Sequence, residues 1–103
     1  MTYIRGNQAD YNKWQEAGNT GWSWTDVYPY FLRSENSQDI LELDIYAHYH
    51  RSGGPMSVEY QRYDPVFVKP FLDAAKHRGF KIGDYNGKEQ LRFHRVQVVM
   101  QFF

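Results

Sequence analysis

MTYIRGNQADYNKWQEAGNTGWSW (residues 1–24) runs an apolar, strand-like segment through an Arg-Gly turn directly into a helix. Met1, Tyr3 and Ile4 make residues 2–5 extended, and Arg5 with Gly6 turns the chain. Asn7 or Asp10 can cap a helix through about Ala17, because a short side-chain oxygen there accepts an N–H that the first turn leaves unpaired. Tyr11, Trp14 and Ala17 or Gly18 then share one face at three- and four-residue spacing. Gly18, Asn19 and Gly21 end the helix, since both residue types tolerate the left-handed conformation. A chain that opens in this way reads as the middle of a folded body.

Outward from that stretch, Thr25 is a good N-cap for a second helix through about Ser34, with Val27, Tyr28, Phe31 and Leu32 as its apolar stripe. Pro29 then falls near the first turn, where a missing N–H costs least. ILELDIYAHYH (residues 40–50) is compatible with a helix or an alternating strand. SGGP (residues 52–55) is a turn, and MSVEY (residues 56–60) alternates as a strand does. Asp64 and Pro65 read as an N-cap and first helical residue, for a helix to about Arg78 that Gly79 ends. Pro70 inside it predicts a late start or a kink. GDYNG (residues 83–87) is a turn, and residues 93–101 alternate like a strand. The fold class expected is α+β, with about three helices, a few short strands and an incomplete core.

The 103 residues make one domain at most, and no repeat, low-complexity tract or linker divides them. Twelve basic residues balance twelve acidic ones, so bulk electrostatics draw the chain neither to nucleic acid nor to an anionic membrane. The apolar runs are too short for a membrane span or the apolar core of a signal peptide, and the absence of cysteine removes disulfide and thiolate chemistry. The compartment is not legible. Aromatic residues are the outlier, at 18% of a chain whose mean hydropathy is −0.75. Rings with polar tips need many hydrogen-bond partners when buried. Either they form a ligand surface or they pack against neighbours outside the chain, and the second reading is preferred.

Candidate chemistry is sparse. His48 and His50, two apart, would share a face in a strand and could start a metal site, but no third ligand stands at suitable spacing. Two loop or surface histidines are the plainer expectation. His77 sits well at a helix C-terminus, where the dipole favours a cation, and His94 stands alone. Asp39, Glu42 and Asp44 read as a solvated face. Trp14, Trp22, Trp24, Tyr28, Tyr30 and Phe31 could stack on sugar rings, although helical spacing favours a core between two helices. No Gly-x-Ser-x-Gly, P-loop or Gly-x-Gly-x-x-Gly occurs, so no strand–helix turn is present to hold a dinucleotide pyrophosphate.

The opening run resembles the glucose–methanol–choline family of FAD-dependent oxidoreductases, in which Tyr-x-Arg-Gly-Asn…Asp-Tyr…Trp follows a glycine-rich flavin-contacting loop. The similarity continues through NTGWSW (residues 19–24), DVYPYF (26–31), RSEN (33–36) and YHRSGGP (49–55). It extends to PVFVKPFLDAA (65–75), RGF (78–80), DYNG (84–87) and Gln90, Phe93 and Gln97, almost the whole chain in register. The Tyr-His-x-x-Gly-Gly-Pro turn is similar to the animal, glucose-dehydrogenase-like branch. Arg51 and Arg92 stand where that family commonly has glycine, and Phe102 and Phe103 where it has a polar turn.

The resemblance implies FAD-dependent oxidation of a CH–OH donor, an alcohol or sugar, by hydride transfer to the flavin. It implies that Thr2 and Tyr3, with Arg5 as a third, lie beside the cofactor, whereas Tyr3 alone reads equally as a buried strand residue. It also implies that Met1 sits just after the flavin loop, that residues 1–103 form part of the family's N-terminal region with part of the substrate region, and that the catalytic histidine lies elsewhere. No histidine here takes that role. A chain of this kind is expected to hold no FAD and show no activity by itself. The alternative is a small carbohydrate-binding or interaction module that uses its Trp and Tyr surface.

Overall fold

Asn7 is the residue that starts the first helix, and its side chain accepts the Ala9 N–H at 2.8 Å. The computed structural model describes residues 1–39, 48–63 and 65–100. Helix α1 (Gln8–Glu16) ends in paired reversed bonds, Gly18 N to Gln15 O and Asn19 N to Trp14 O. Gly18 has φ +97°, the conformation this ending requires. Helix α2 (Trp24–Ser34) is capped by Ser23 and not by Thr25. Only Ser23 has an acidic residue three positions on, and Asp26 returns a bond to the Ser23 N–H to complete a reciprocal capping box. The earlier start places Pro29 a full turn inside the helix, leaving the exposed Thr25 carbonyl without a helical donor.

The two helices meet through rings. Tyr11 lies 5.2 Å from Trp14, 5.4 Å from Trp24 and 5.9 Å from Phe31, centroid to centroid. Neither helix buries a residue fully, and Trp22 and Tyr30 remain 52% and 70% exposed.

A short sheet follows in the order β1 (Glu35–Ser37), β2 (Met56–Tyr60), β3 (Gln97–Val99). β1 pairs with β2 in parallel and β3 runs antiparallel to β2, with Ser37, Val58 and Val99 in one row. The extended opening segment pairs along the free edge of β3, through Val99 N to Met1 O at 2.7 Å and Tyr3 N to Gln97 O at 2.9 Å. Alternation along this sheet puts Tyr3, Glu35, Ser37, Val58 and Gln97 on one buried face. The strand expected over residues 93–101 is shorter than its alternation suggests: Phe93 bridges Ile82, and pairing with β2 covers only Gln97–Val99. Gly54 closes against the start of β1. A Cβ there would lie 2.4 Å from the Ser34 carbonyl oxygen.

Helix α3 (Val68–His77) starts late, as Pro70 predicts, and holds that proline in its first turn, where the N–H has no helical partner. Phe67 precedes it with no side-chain cap, and Asp64 lies outside the described residues, as do residues 40–47 and 101–103. His77 ends the helix as expected, and Gly79 reverses the chain with φ +85°. Among the described residues the buried hydrophobic set is only Tyr3, Val58 and Ala75, while Arg5, Glu35, His50, Asp84, Asn86 and Gln97 are among the buried polar ones. The interior is ionic.

Candidate functional site

Four charged side chains from four separate segments converge beneath the opening strand. Arg5 follows the edge segment, Glu35 is the extended C-cap of α2 and first residue of β1, His50 enters from the turn before SGGP, and Asp84 begins the 83–87 turn. Glu35 Oε2 accepts from Arg5 Nη2 at 2.6 Å and Glu35 Oε1 from His50 Nδ1 at 2.7 Å. His50 Nε2 lies 2.6 Å from Asp84 Oδ2. With a carboxylate at each ring nitrogen, both nitrogens donate, so the imidazole is the charged form. Burial opposes that charge, but the bonds to Asp84 and Glu35 outweigh it and raise the His50 pKa from 6.5 to about 9. Burial likewise works against the Asp84 charge, and His50 overcomes it, holding this carboxyl below its ordinary value of 3.8. Two cations face two anions, so the cluster is neutral.

Polar groups extend the cluster in both directions. Arg5 Nε donates to the Tyr3 hydroxyl at 3.1 Å and Nη1 to the Tyr49 carbonyl at 2.5 Å. Asn86 Oδ1 accepts the Arg5 N–H at 3.0 Å, and Asn86 Nδ2 donates to Gln97 Oε1 at 2.7 Å. Asp84 Oδ1 accepts the Asn86 N–H at 2.8 Å, which shapes the turn from within. His50 and Asp84 are each 1% exposed and Glu35 is 0% exposed, so no solvent-borne reactant reaches them. An imidazole that donates from both nitrogens has no lone pair for base catalysis or metal binding. What this arrangement does is fix the opening strand against the 83–87 turn.

The residues singled out from sequence separate sharply. Thr2 is exposed, opposite Val98, whereas Tyr3 and Arg5 turn inward and are engaged in the cluster. His48 is a surface residue, as expected, but His50 is not: the two carboxylates draw it into the interior. Among the described residues no group of three or more side chains suits a metal ion, and no helix is long and apolar enough to cross a membrane. Asp39 accepts the Tyr60 N–H at 2.6 Å, while Glu42 and Asp44 lie outside the described residues. His94 Nδ1 faces the Arg95 carbonyl at 2.8 Å and so donates, which leaves Nε2 to accept from the Tyr60 hydroxyl at 3.2 Å. Glu35 and Asp84 carry the cluster yet have no spacing signal, being 30 and 79 residues from Arg5.

Residues 1–101 match the family model described as GMC oxidoreductase. The chain belongs to that family. Glucose dehydrogenase [FAD, quinone] of Drosophila pseudoobscura pseudoobscura is 41% identical over 95% of this GMC oxidoreductase chain, and the match spans 15% of that relative. Oxygen-dependent choline dehydrogenase of Brucella canis is 36% identical over 90% of the chain and 16% of its own length. The fold matches pyridoxine 4-oxidase from Mesorbium loti with a TM-score of 0.81 at 21% identity, covering 98% of this chain and 19% of that one. An FAD-dependent oxidoreductase from Chaetomium thermophilum matches with a TM-score of 0.67 at 26% identity, over 88% and 16% of the two chains. The GMC chain therefore spans about 15% of the length of the curated relatives it matches. Its α+β architecture of three helices and a three-stranded sheet is a part of the GMC fold.

Proposed function

We propose that this chain supplies the segment following the flavin-contacting loop, with part of the substrate region, of an FAD-dependent oxidoreductase. Such an enzyme oxidises an alcohol or sugar by hydride transfer to the flavin. The observation that carries the reading is the family match over residues 1–101. The names of the relatives support it, one with FAD and glucose and another with choline.

The opening segment fits a planar cofactor. Because Met1 and Tyr3 bond inward to β3, alternation turns the Thr2 N–H and C=O outward, where a heterocycle edge could meet them. Tyr3 and Arg5 contribute from the buried side by fixing that edge. No dinucleotide-binding turn occurs in the chain, so by itself it is expected to hold no FAD and to be inactive. The alternative of a carbohydrate or interaction module asks for a flat platform of Trp22 and Trp24. Instead, Trp22 meets Trp14 edge-on at 73° and Trp24 stacks on Tyr28. Phe67 and Phe71, 80% and 61% exposed, favour a body that packs against more protein.

Replacing the corresponding segment of the Drosophila glucose dehydrogenase with residues 1–101 tests this. A chimera that keeps its flavin and oxidises glucose is expected. One that folds but binds no FAD overturns the reading, and a stoichiometric yellow complex of the isolated chain overturns its dependence on further protein.

A further inference from the structure

Asn86 is the one asparagine of the sequence that precedes a glycine. That pairing is chemically labile, because a residue without a Cβ leaves its backbone nitrogen unshielded and free to swing onto the preceding carboxamide carbon. The 83–87 turn nevertheless keeps it. A Cβ at Gly87 would lie 3.2 Å from Asp84 Oδ2 and 3.3 Å from the Asp84 carbonyl oxygen, tighter than an ordinary contact. The fold restrains both reacting groups. Asn86 is 4% exposed, its Oδ1 accepts the Arg5 N–H at 3.0 Å, and its Nδ2 donates to Gln97 Oε1 at 2.7 Å and to the Tyr3 carbonyl at 3.2 Å. Both amide hydrogens are thus engaged, by the opening strand and by β3. The Gly87 N–H meanwhile points at the Asp84 carbonyl, at 3.4 Å.

We propose that Asn86 is a deamidation site that the fold keeps closed, and that its conversion bars the way back to the native state. When the opening strand leaves the turn, the Gly87 nitrogen gives up its proton to solvent and bonds to Asn86 Cγ. The Cγ–Nδ2 bond breaks and ammonia leaves. Solvent water then opens the cyclic imide at either carbonyl, which leaves aspartate or isoaspartate at position 86. Neither product fits the native site. A carboxylate has no N–H for Gln97 Oε1, which a flip of the Gln97 amide can mend, nor for the Tyr3 carbonyl, which is fixed in the main chain. It also adds a third anion where Glu35 and Asp84 already balance Arg5 and His50, an uncompensated buried charge. Isoaspartate in addition carries the main chain through Cγ, out of step with the Asn86 N–H to Asp84 Oδ1 bond that shapes the turn. The site does not depend on the flavin reading.

Peptide mapping by mass spectrometry of the 103-residue protein, aged at neutral pH in buffer and in urea, tests the proposal. In urea Asn86 is expected to show the mass gain of an amide-to-acid exchange, split between the two products. In buffer it should do so at least about tenfold more slowly, since the reaction waits on the open form. Asp84→Asn, with one anion of the cluster gone, should react in buffer at the urea rate. Asn86→Asp, made directly, should stay unfolded in buffer by circular dichroism. Equal rates in buffer and urea overturn the protection, and an Asn86 that is inert in urea overturns the site. An Asp84→Asn chain as protected as the parent overturns the part given to the cluster. An Asn86→Asp protein with the parent's urea midpoint overturns the barred return, and the proposal with it.

Discussion

His50 Nε2 lies 2.6 Å from Asp84 Oδ2, with both side chains sealed from solvent. The pair joins the segment before the SGGP turn to the 83–87 turn, and through Glu35 it reaches Arg5. Asp84→Asn keeps the volume but removes one anion, leaving the imidazolium with a single carboxylate. Removing one partner of a buried pair costs about 3–5 kcal/mol, a large share of what holds any small domain together. Urea denaturation followed by circular dichroism should show Asp84→Asn largely unfolded in buffer. A midpoint equal to that of the parent chain would mean that the cluster does not organise the fold.

The same pair sets the response to pH. The His50 value is raised from 6.5 to about 9, so its contribution is complete below 6.5 and is lost as pH rises through 9. Asp84 is shifted down from 3.8, so its contribution is complete above 3.8 and disappears as acid protonates it below that value. Stability from the cluster is therefore greatest between the two ordinary values and should decline from pH 6.5 to 9. Urea midpoints across that interval check it, alongside the imidazole resonances of His50. A flat profile with an imidazole titrating near its ordinary value would reject the charged assignment.

Adjacent glycines should respond differently to alanine. Gly53 has φ +88° with open space around it, so Gly53→Ala meets only backbone strain, about 1–2 kcal/mol. At Gly54 the added carbon would lie 2.4 Å from the Ser34 carbonyl oxygen and 2.5 Å from that of Glu35. Main chain cannot move aside as a side chain does, so the cost should reach or exceed about 3 kcal/mol, the upper end for overpacking. Thermal melts of the two variants rank them. A Gly54→Ala protein as stable as Gly53→Ala would contradict the close approach.

At the start of α2 the two hydroxyl residues are also separable. Ser23→Ala removes the side-chain acceptor for the Asp26 N–H and should cost about 1 kcal/mol. Thr25→Ala, inside the helix, loses only a 2.8 Å contact to the Ser23 hydroxyl and should be close to neutral. Helix content and denaturation midpoints distinguish them, and the reverse ranking would return the cap to Thr25.

The helices were legible because their signals are local. Asn7 before α1, and the glycines after α1 and α3, act within a few residues of the structure they set. Ser23 was hidden behind Thr25, since two candidate caps stand side by side and only the reach of Asp26 decides between them. The interior was not legible. Its four charges come from distant segments, and ordinary hydrophobic patterning assigns such residues to the surface. Arg5 was marked by family likeness alone, and the inward turn of its guanidinium depends on Glu35 and His50 together. The 93–101 alternation was real but overlong, because β2 offers β3 a partner only as far as Tyr60.

The pairing of residues 1–3 with β3 has a further consequence, for self-association. Among the described residues this segment pairs along the outer main-chain edge of Gln97–Val99, where the Tyr85 hydroxyl also accepts the Gln97 N–H at 2.8 Å. Proteolytic trimming of the first three residues would bare the N–H and C=O groups of a Val-Val strand, a template for pairing with another chain. The segment that pairs with β3 thus also serves as the guard against fibrillar stacking.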